Sequence, residues 1–149
     1  MYNVTHTHRI SKFATDLLFY LNIIALVALP FLTKILFGEG KSAQYVWGFE
    51  AILISSGICS AYILFNLKRM FTTLVDGNPF TEENVARFRK MAVCCLIIAL
   101  IYVIKCIFLF TYGTLIVVLV FVMGCLFCLT LKDLFKQAVN YKTENELTI

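Results

Sequence analysis

A single lysine inside a long apolar stretch is the residue of this chain most able to do chemistry. Lys105 is the one charge between Met91 and Leu131, and a charge at the centre of a membrane-spanning helix costs about 2.5–3.5 kcal/mol on insertion. Three interpretations remain open: the ammonium extends to the lipid headgroups, pairs with Glu50, or belongs to a substrate or ion site. The first is favoured, because Lys105 lies roughly 7.5 Å from a helix end at Phe110, which a lysine side chain can span.

Other residues have the right types for chemistry but lack the right surroundings. Cys125-x-x-Cys128 has the spacing of redox and metal sites, yet it lies in an uncharged segment where a cysteine behaves as a small apolar side chain. His6-x-His8 has no acidic or cysteine residue nearby. Asn22 is interpreted as a hydrogen-bonding group between helices. We therefore expect no metal and no cofactor.

Motifs of common enzymes are absent from the sequence. There is no HExxH, no GxSxG, no phosphate-binding glycine loop and no pair of carboxylates within an apolar segment. No histidine lies in an apolar segment, which removes the usual axial ligand of haem. Asp16, near the end of its segment, is a poor substitute for the deep acidic residue of a proton-coupled exporter. The sequence therefore predicts a protein that is not an enzyme.

The composition of the chain predicts the helices that position these residues. Sixty per cent of residues are hydrophobic and 15 % are charged, whereas charged residues approach a quarter in soluble proteins. About 20 apolar residues cross a bilayer as a helix, so the stretch from Met91 to Leu131 must fold back, most simply at 111–113. A soluble bundle is excluded because 113–131 has no polar face.

The predicted fold class is therefore all-α, an integral membrane four-helix bundle that forms a single domain, 1–149. The spans are expected at about 13–37, 46–67, 91–110 and 113–131, with a cytoplasmic loop at 68–90 and a cytoplasmic tail at 132–149.

Basic residues predict the orientation of the spans. Ten lysines and arginines flank one side, whereas Lys34 and Lys41 flank the other. Since basic residues collect on the cytoplasmic side, both termini are expected in the cytoplasm (N-in/C-in) of a bacterial plasma membrane. The net charge of +4 has the same origin, so direct binding of nucleic acid is not needed to explain it.

Small residues predict where helices pack closely. Ser56 and Ser60, like Gly57 and Ala61, are four residues apart in span two and share a face, a spacing that lets another helix approach. Gly124 offers a similar position in span four.

The loop at 68–90 carries turn and capping signals. Residues 76–79 (Asp-Gly-Asn-Pro) are typical of a turn. Thr81 is a good N-cap, and the acidic Glu82 and Glu83 suit a first helical turn. We expect the loop helix that starts there to continue into the third span. After span four, residues 132–141 could extend as an amphipathic helix, followed by a polar tail at 142–149.

Two of these segments carry a resemblance to a known family. The first is 74–84, with the pattern G-x-P-F-T-x-x-N, and the second is 144–149, which ends in E-L-T-I. Together with four spans in about 150 residues, they resemble an uncharacterised family of small bacterial membrane proteins that is known as a domain of unknown function. The resemblance implies a Gram-positive-type source and, commonly, a small helix-turn-helix regulator encoded nearby. It implies no catalytic residues.

Three functions are compatible with these features. The leading hypothesis is an accessory or regulatory protein that binds a cytoplasmic partner, such as a small DNA-binding regulator. The alternatives are a transporter or channel subunit that works as a homo-oligomer, and an immunity protein against a membrane-active peptide. The candidate interaction residues are Asp76, Gly77, Asn78, Pro79, Phe80, Asn84, Glu146, Leu147, Thr148 and Ile149.

Overall fold

Four helices make up the fold. The computed structural model describes residues 6–37, 43–108 and 110–147. The helices are α1 (His6–Phe37), α2 (Ala43–Val75), α3 (Glu82–Phe108) and α4 (Tyr112–Leu147). No strand occurs in these described ranges, so the predicted all-α class with four helices is confirmed. All four helices are long and apolar enough to cross a membrane.

The outer surface of the helices is apolar. On α1, Phe13 and Ile35 are each more than two-thirds exposed, and on α4 Ile116 and Phe127 are about two-thirds exposed. Exposure of so large an apolar surface to water is unfavourable, whereas contact with lipid acyl chains is not. The exposed surface therefore fits a protein that is embedded in lipid.

The helices pack in chain order. The backbones of α1 and α2, of α2 and α3, and of α3 and α4 approach each other, whereas no described Cα of α1 lies within 8 Å of α3 or α4. The bundle is therefore open, and α3 carries most of its core. Phe88, Met91 and Ala92 of α3 form a buried cluster with Cys128 of α4.

Helix α2 extends further than the sequence predicts. It continues to Val75, eight residues past the expected end of span two at Leu67, so residues 76–81 connect α2 to α3. The bounds of the span and of the cytoplasmic segment 68–90 stay predictions. The basic pair Lys68 and Arg69 marks the edge of the apolar segment, but charge does not stop a helix. Helix α3 begins at Glu82 and runs without interruption to Phe108, which confirms the predicted loop helix that continues into span three.

Helix α4 is also longer than expected. It runs to Leu147, so the helix expected over 132–141 continues through the described part of the polar tail. The part after span four, 132–147, extends roughly 24 Å. It packs against the start of α3 and the turn that follows α2, and together residues 68–90 and 132–147 form what we call the basic head.

Candidate functional site

The turn between α2 and α3 is a helix cap of defined geometry. Gly77 has a φ of 80°, a left-handed conformation that glycine adopts without steric cost. Its N–H donates to the Leu74 carbonyl at 3.3 Å, and the Asn78 N–H donates to the Thr73 carbonyl at 3.1 Å. This pair of bonds is a Schellman motif, which closes the end of α2. The predicted turn at 76–79 is confirmed.

Thr81 starts α3 as the sequence predicts. Its hydroxyl accepts a hydrogen bond from the Asn84 N–H at 3.3 Å, and its carbonyl accepts from the Val85 N–H at 3.2 Å. These bonds satisfy backbone donors that a helix N-terminus otherwise leaves unpaired. The cap holds the first turn of α3 against the end of α2.

Asn84 connects three parts of the basic head. Its side chain is 1 % exposed, and its amide nitrogen donates to the Thr73 hydroxyl of α2 at 2.8 Å and to the Pro79 carbonyl at 2.7 Å. Its amide oxygen accepts from Nη1 of Arg87 at 2.7 Å. A buried amide with both ends satisfied fixes its neighbours in one arrangement.

Arg87 is buried with its charge partly compensated. It is 6 % exposed, and its Nη2 donates to Oε1 of Glu83 one turn earlier. Glu83 itself is mostly exposed. Sequence reasoning treated Arg87 as one of several flanking cations, because its burial depends on how α3 packs against α2.

The end of α4 packs against the same turn. The Lys142 ammonium donates to Oδ1 of Asn78 at 2.9 Å. The ring of Phe135 lies 5.4 Å from that of Phe80 and 4.9 Å from that of Phe88, between ring centroids. These contacts bring α4 onto the segment 76–84 that carries the family resemblance.

An apolar groove lies on the basic head. Its volume is about 270 Å³, and it is enclosed by side chains of α2, α3 and α4 with Pro79 at one end. Almost all of its lining is apolar. The apolar side chains that line it are those of Leu67, Met70, Phe71, Leu74, Phe88, Leu131 and Phe135.

Lys105 contacts the first turn of α4. Its ammonium donates to the buried Thr114 hydroxyl at 3.2 Å and lies 5.4 Å from the ring centroid of Phe49 and 5.7 Å from that of Tyr102. Among the described residues, no ion pair joins it to Glu50. The structure therefore brings Lys105 to Thr114 and to aromatic rings, which stabilise a cation, rather than to Glu50.

A double-mutant cycle measures which partner Lys105 uses. We expect Lys105→Met and Thr114→Val to be coupled by about 0.6 kcal/mol in unfolding in detergent, the average for hydrogen bonds between membrane helices. Lys105→Met and Glu50→Gln should be additive, because their side chains are not paired. Coupling in the second cycle and additivity in the first would contradict the observed contacts.

Polar and small residues join α1 to α2. The Asn22 amide donates to the Ser60 hydroxyl at 3.3 Å, an interhelical bond of the kind expected for it. A Cβ on Gly57 would lie 2.6 Å from Cδ2 of Leu26, so α1 approaches α2 closely there. Ser56 instead donates to the Leu53 carbonyl of its own helix.

The other small residues differ in their surroundings. Ala61 is half-buried on α2. A Cβ on Gly124 would lie 3.7 Å from Sγ of Cys95, an ordinary contact between α4 and α3. Cys128 belongs to the buried cluster and Cys125 packs against it, so both cysteines act as apolar packing residues here.

One contact between α1 and α2 was missed by sequence reasoning. An Asp16 carboxylate oxygen lies 3.1 Å from the Lys68 ammonium, and that ammonium lies 5.2 Å from the ring centroid of Tyr20. The sequence does place opposite charges at the same end of two neighbouring spans, and this pattern could have predicted the ion pair. The pair ties the start of α1 to the basic head.

Some predicted residues lie outside the described part of the chain. Thr148 and Ile149 follow the last described residue, and the side chains of Glu146 and Leu147 are likewise outside it. The same holds for the side chains of His6 and His8, although both residues belong to α1.

The fold and surface define a multi-pass membrane protein of four helices, each with an apolar segment long enough to cross the bilayer. Residues 39–149 match the family described as protein of unknown function (DUF2975), and the chain belongs to that family. This confirms the resemblance drawn from 74–84 and 144–149. The matched region contains α2, α3 and α4 with the whole basic head. No curated protein and no solved structure matches the chain.

Proposed function

We propose that this protein is a non-enzymatic accessory protein of the bacterial cell membrane whose basic head binds a soluble regulatory partner in the cytoplasm. The apolar groove on the head carries this proposal. Its walls come from α2 and α4 largely beyond the expected ends of their spans, and almost all of its lining is apolar. Apolar surface outside the hydrocarbon core of the bilayer contacts headgroups and water unless a partner covers it.

The occupant that fits best is the apolar face of an amphipathic helix with acidic flanks. A groove of about 270 Å³ accepts a few apolar side chains of such a helix. The basic head carries eight lysines and arginines against six acidic residues, so its excess of positive charge complements acidic flanks. A small helix-turn-helix regulator, which the family resemblance associates with these proteins, is a source of such a helix.

The packing of the head supports a binding role. The Asn84 hydrogen bonds, the Schellman turn and the Phe80–Phe135–Phe88 contacts fix the walls of the groove before a partner arrives. A preformed site loses less conformational entropy on binding.

A binding assay with purified proteins tests the proposal. The full-length protein in detergent is immobilised and titrated with a small helix-turn-helix regulator that carries an amphipathic helix with acidic flanks. Phe71→Gln/Leu74→Gln places two amides in the groove and should weaken binding at least tenfold, since buried unpaired amides are costly. Leu134→Gln/Tyr141→Gln changes two exposed residues of the head outside the groove and should leave the affinity unchanged.

Equal binding by the two double variants, with helical content unchanged in each, would overturn the groove as the docking site. A third variant, truncated after Thr143, separates the tail from the groove. If the regulator dissociates from this variant alone, the C-terminal segment and not the groove is the dock.

A further inference from the structure

A second pocket on the basic head lies on the face between α2 and α3 and has a different chemical character. Its volume is about 250 Å³, and we call it the basic pocket. Asn66 and Arg69 of α2 and Arg87 and Lys90 of α3 line it together with Glu83. Three cations against one carboxylate leave it with an excess of positive charge.

The buried Arg87 is the fixed element of the basic pocket. Two of its five N–H donors bind Asn84 and Glu83, so three remain for another acceptor within the described structure. The Arg87 guanidinium is 6 % exposed, and its one carboxylate partner is mostly exposed. A second anion in the pocket would therefore balance its charge more completely. Planar N–H groups of arginine suit a phosphate in particular.

The polar neighbours of Arg87 are placed to bind the same anion. Asn66 is 5 % exposed and lines the pocket from α2. One N–H of its amide donates to the Tyr62 carbonyl at 2.8 Å, and the second N–H is left for the anion. Arg69 is exposed and lies over the ring of Phe65, 5.4 Å from its centroid. Lys90 is exposed on α3. Two exposed cations and one buried cation therefore line the same pocket.

The basic pocket also has an apolar wall on its membrane side. Tyr62 and Phe65 line it, and each ring is 42 % exposed. Tyr62 precedes Arg69 by seven residues and Phe65 by four, so the two rings lie roughly 10 and 6 Å deeper along α2. A ligand that fills the pocket therefore needs an anionic group at one end and an apolar part at the other.

We propose that the basic pocket binds the phosphate of an anionic phospholipid, with the glycerol and upper acyl chain against Tyr62 and Phe65. Basic pockets between membrane helices are known to take such headgroups. A free phosphate would use the same cations, but it has no apolar part to contact Tyr62 and Phe65, which line the same pocket. The bound lipid would join α2 to α3 at the level of the headgroups.

The neighbouring pocket between α3 and α4 lacks these features. It is lined by Arg89, Lys132 and Lys136 with Glu82, but none of these four side chains is buried. Lys132 is already paired with Asp133 at 3.0 Å. That pocket therefore serves as the matched control, because it offers the same charges without a fixed guanidinium or an aromatic wall.

Native mass spectrometry tests the proposal. The full-length protein in detergent is titrated with phosphatidylglycerol and, separately, with phosphatidylcholine. We expect the first phosphatidylglycerol to bind roughly tenfold more tightly than phosphatidylcholine. Arg69→Gln/Lys90→Gln should lower that affinity roughly tenfold, since each cation near the surface contributes to anionic lipid binding. Arg89→Gln/Lys136→Gln removes the same charge and should change it less than about twofold on the same scale.

Two results would overturn the proposal. Equal losses in the two double variants would show that charge alone, and not the basic pocket, retains the lipid. Saturation by inorganic phosphate, without preference for phosphatidylglycerol over phosphatidylcholine, would assign the pocket to a free phosphate instead. Because the groove is left intact in both variants, this test does not depend on the docking proposal.

Discussion

Replacing Asn84 with leucine is expected to lower the free energy of unfolding in detergent by about 3 kcal/mol. Leucine has the same branched side-chain shape but cannot bind the Thr73 hydroxyl, the Pro79 carbonyl or the Arg87 guanidinium, all of which contact the Asn84 amide. The buried carbonyl and guanidinium would lose a partner, and leaving buried polar groups unpaired costs more than the bonds contribute.

The matched control is Asn140→Leu, which makes the same change at an exposed position of α4. It should alter stability by less than about 0.5 kcal/mol. Chemical denaturation followed by circular dichroism measures both variants. If both lose the same amount of stability, Asn84 does not hold the basic head together.

Replacing Gly57 with leucine is expected to cause the second large loss of stability, at a position within a membrane span. A Cβ at this position would lie 2.6 Å from Cδ2 and 3.1 Å from Cγ of Leu26, so a leucine there must displace the Leu26 side chain. Any displacement that rotation of Leu26 does not absorb separates α1 from α2. Overpacking of this kind costs about 1–3 kcal/mol. Separation would also break the Asn22–Ser60 hydrogen bond, which places the expected loss at the upper end.

Gly48→Leu is the control on the same helix, because nothing lies within 4 Å of a Cβ at Gly48. It should leave stability unchanged or slightly raised, since leucine favours the helix over glycine. Thermal unfolding in detergent compares the two variants. Equal melting temperatures would contradict the close approach of α1 to α2.

The sequence was sufficient to predict the four helices because the lipid bilayer imposes a simple requirement. A segment that crosses it must be apolar and helical, and both properties can be read from the chain alone. The N-cap at Thr81 and the turn before it were predictable for a related reason. Capping and turn formation depend on residues within a few positions of each other.

The ends of α2 and α4 could not be predicted in the same way. Span two is expected to end near Leu67, where charge begins, but helix α2 continues eight residues further to Val75 and is capped at Gly77. Hydropathy locates the edge of the bilayer, whereas the backbone decides where a helix ends. The part of α4 beyond the span is likewise fixed by tertiary contacts, such as Phe135 on Phe88 and Lys142 on Asn78.

The partners of the polar residues were the least predictable feature. Lys105 lies near Thr114 because α3 and α4 are antiparallel neighbours with one particular register, and that register is a property of the packed helices. The family resemblance identified Asn84 as a candidate residue, but nothing in the sequence predicted that its side chain is buried. A single asparagine in a sequence does not reveal that its amide joins α2, the turn and α3.

Labelling of single cysteines tests the proposed orientation most directly. That orientation puts the basic head on the cytoplasmic side of the membrane and the start of α4 on the outer side. The six native cysteines are replaced by serine or alanine, and a cysteine is introduced by Leu134→Cys in the head or by Tyr112→Cys at the opposite end; both positions are exposed. A membrane-impermeant maleimide should label the second variant in intact cells and the first only after the membrane is opened. Labelling of the Leu134→Cys variant in intact cells would contradict the account.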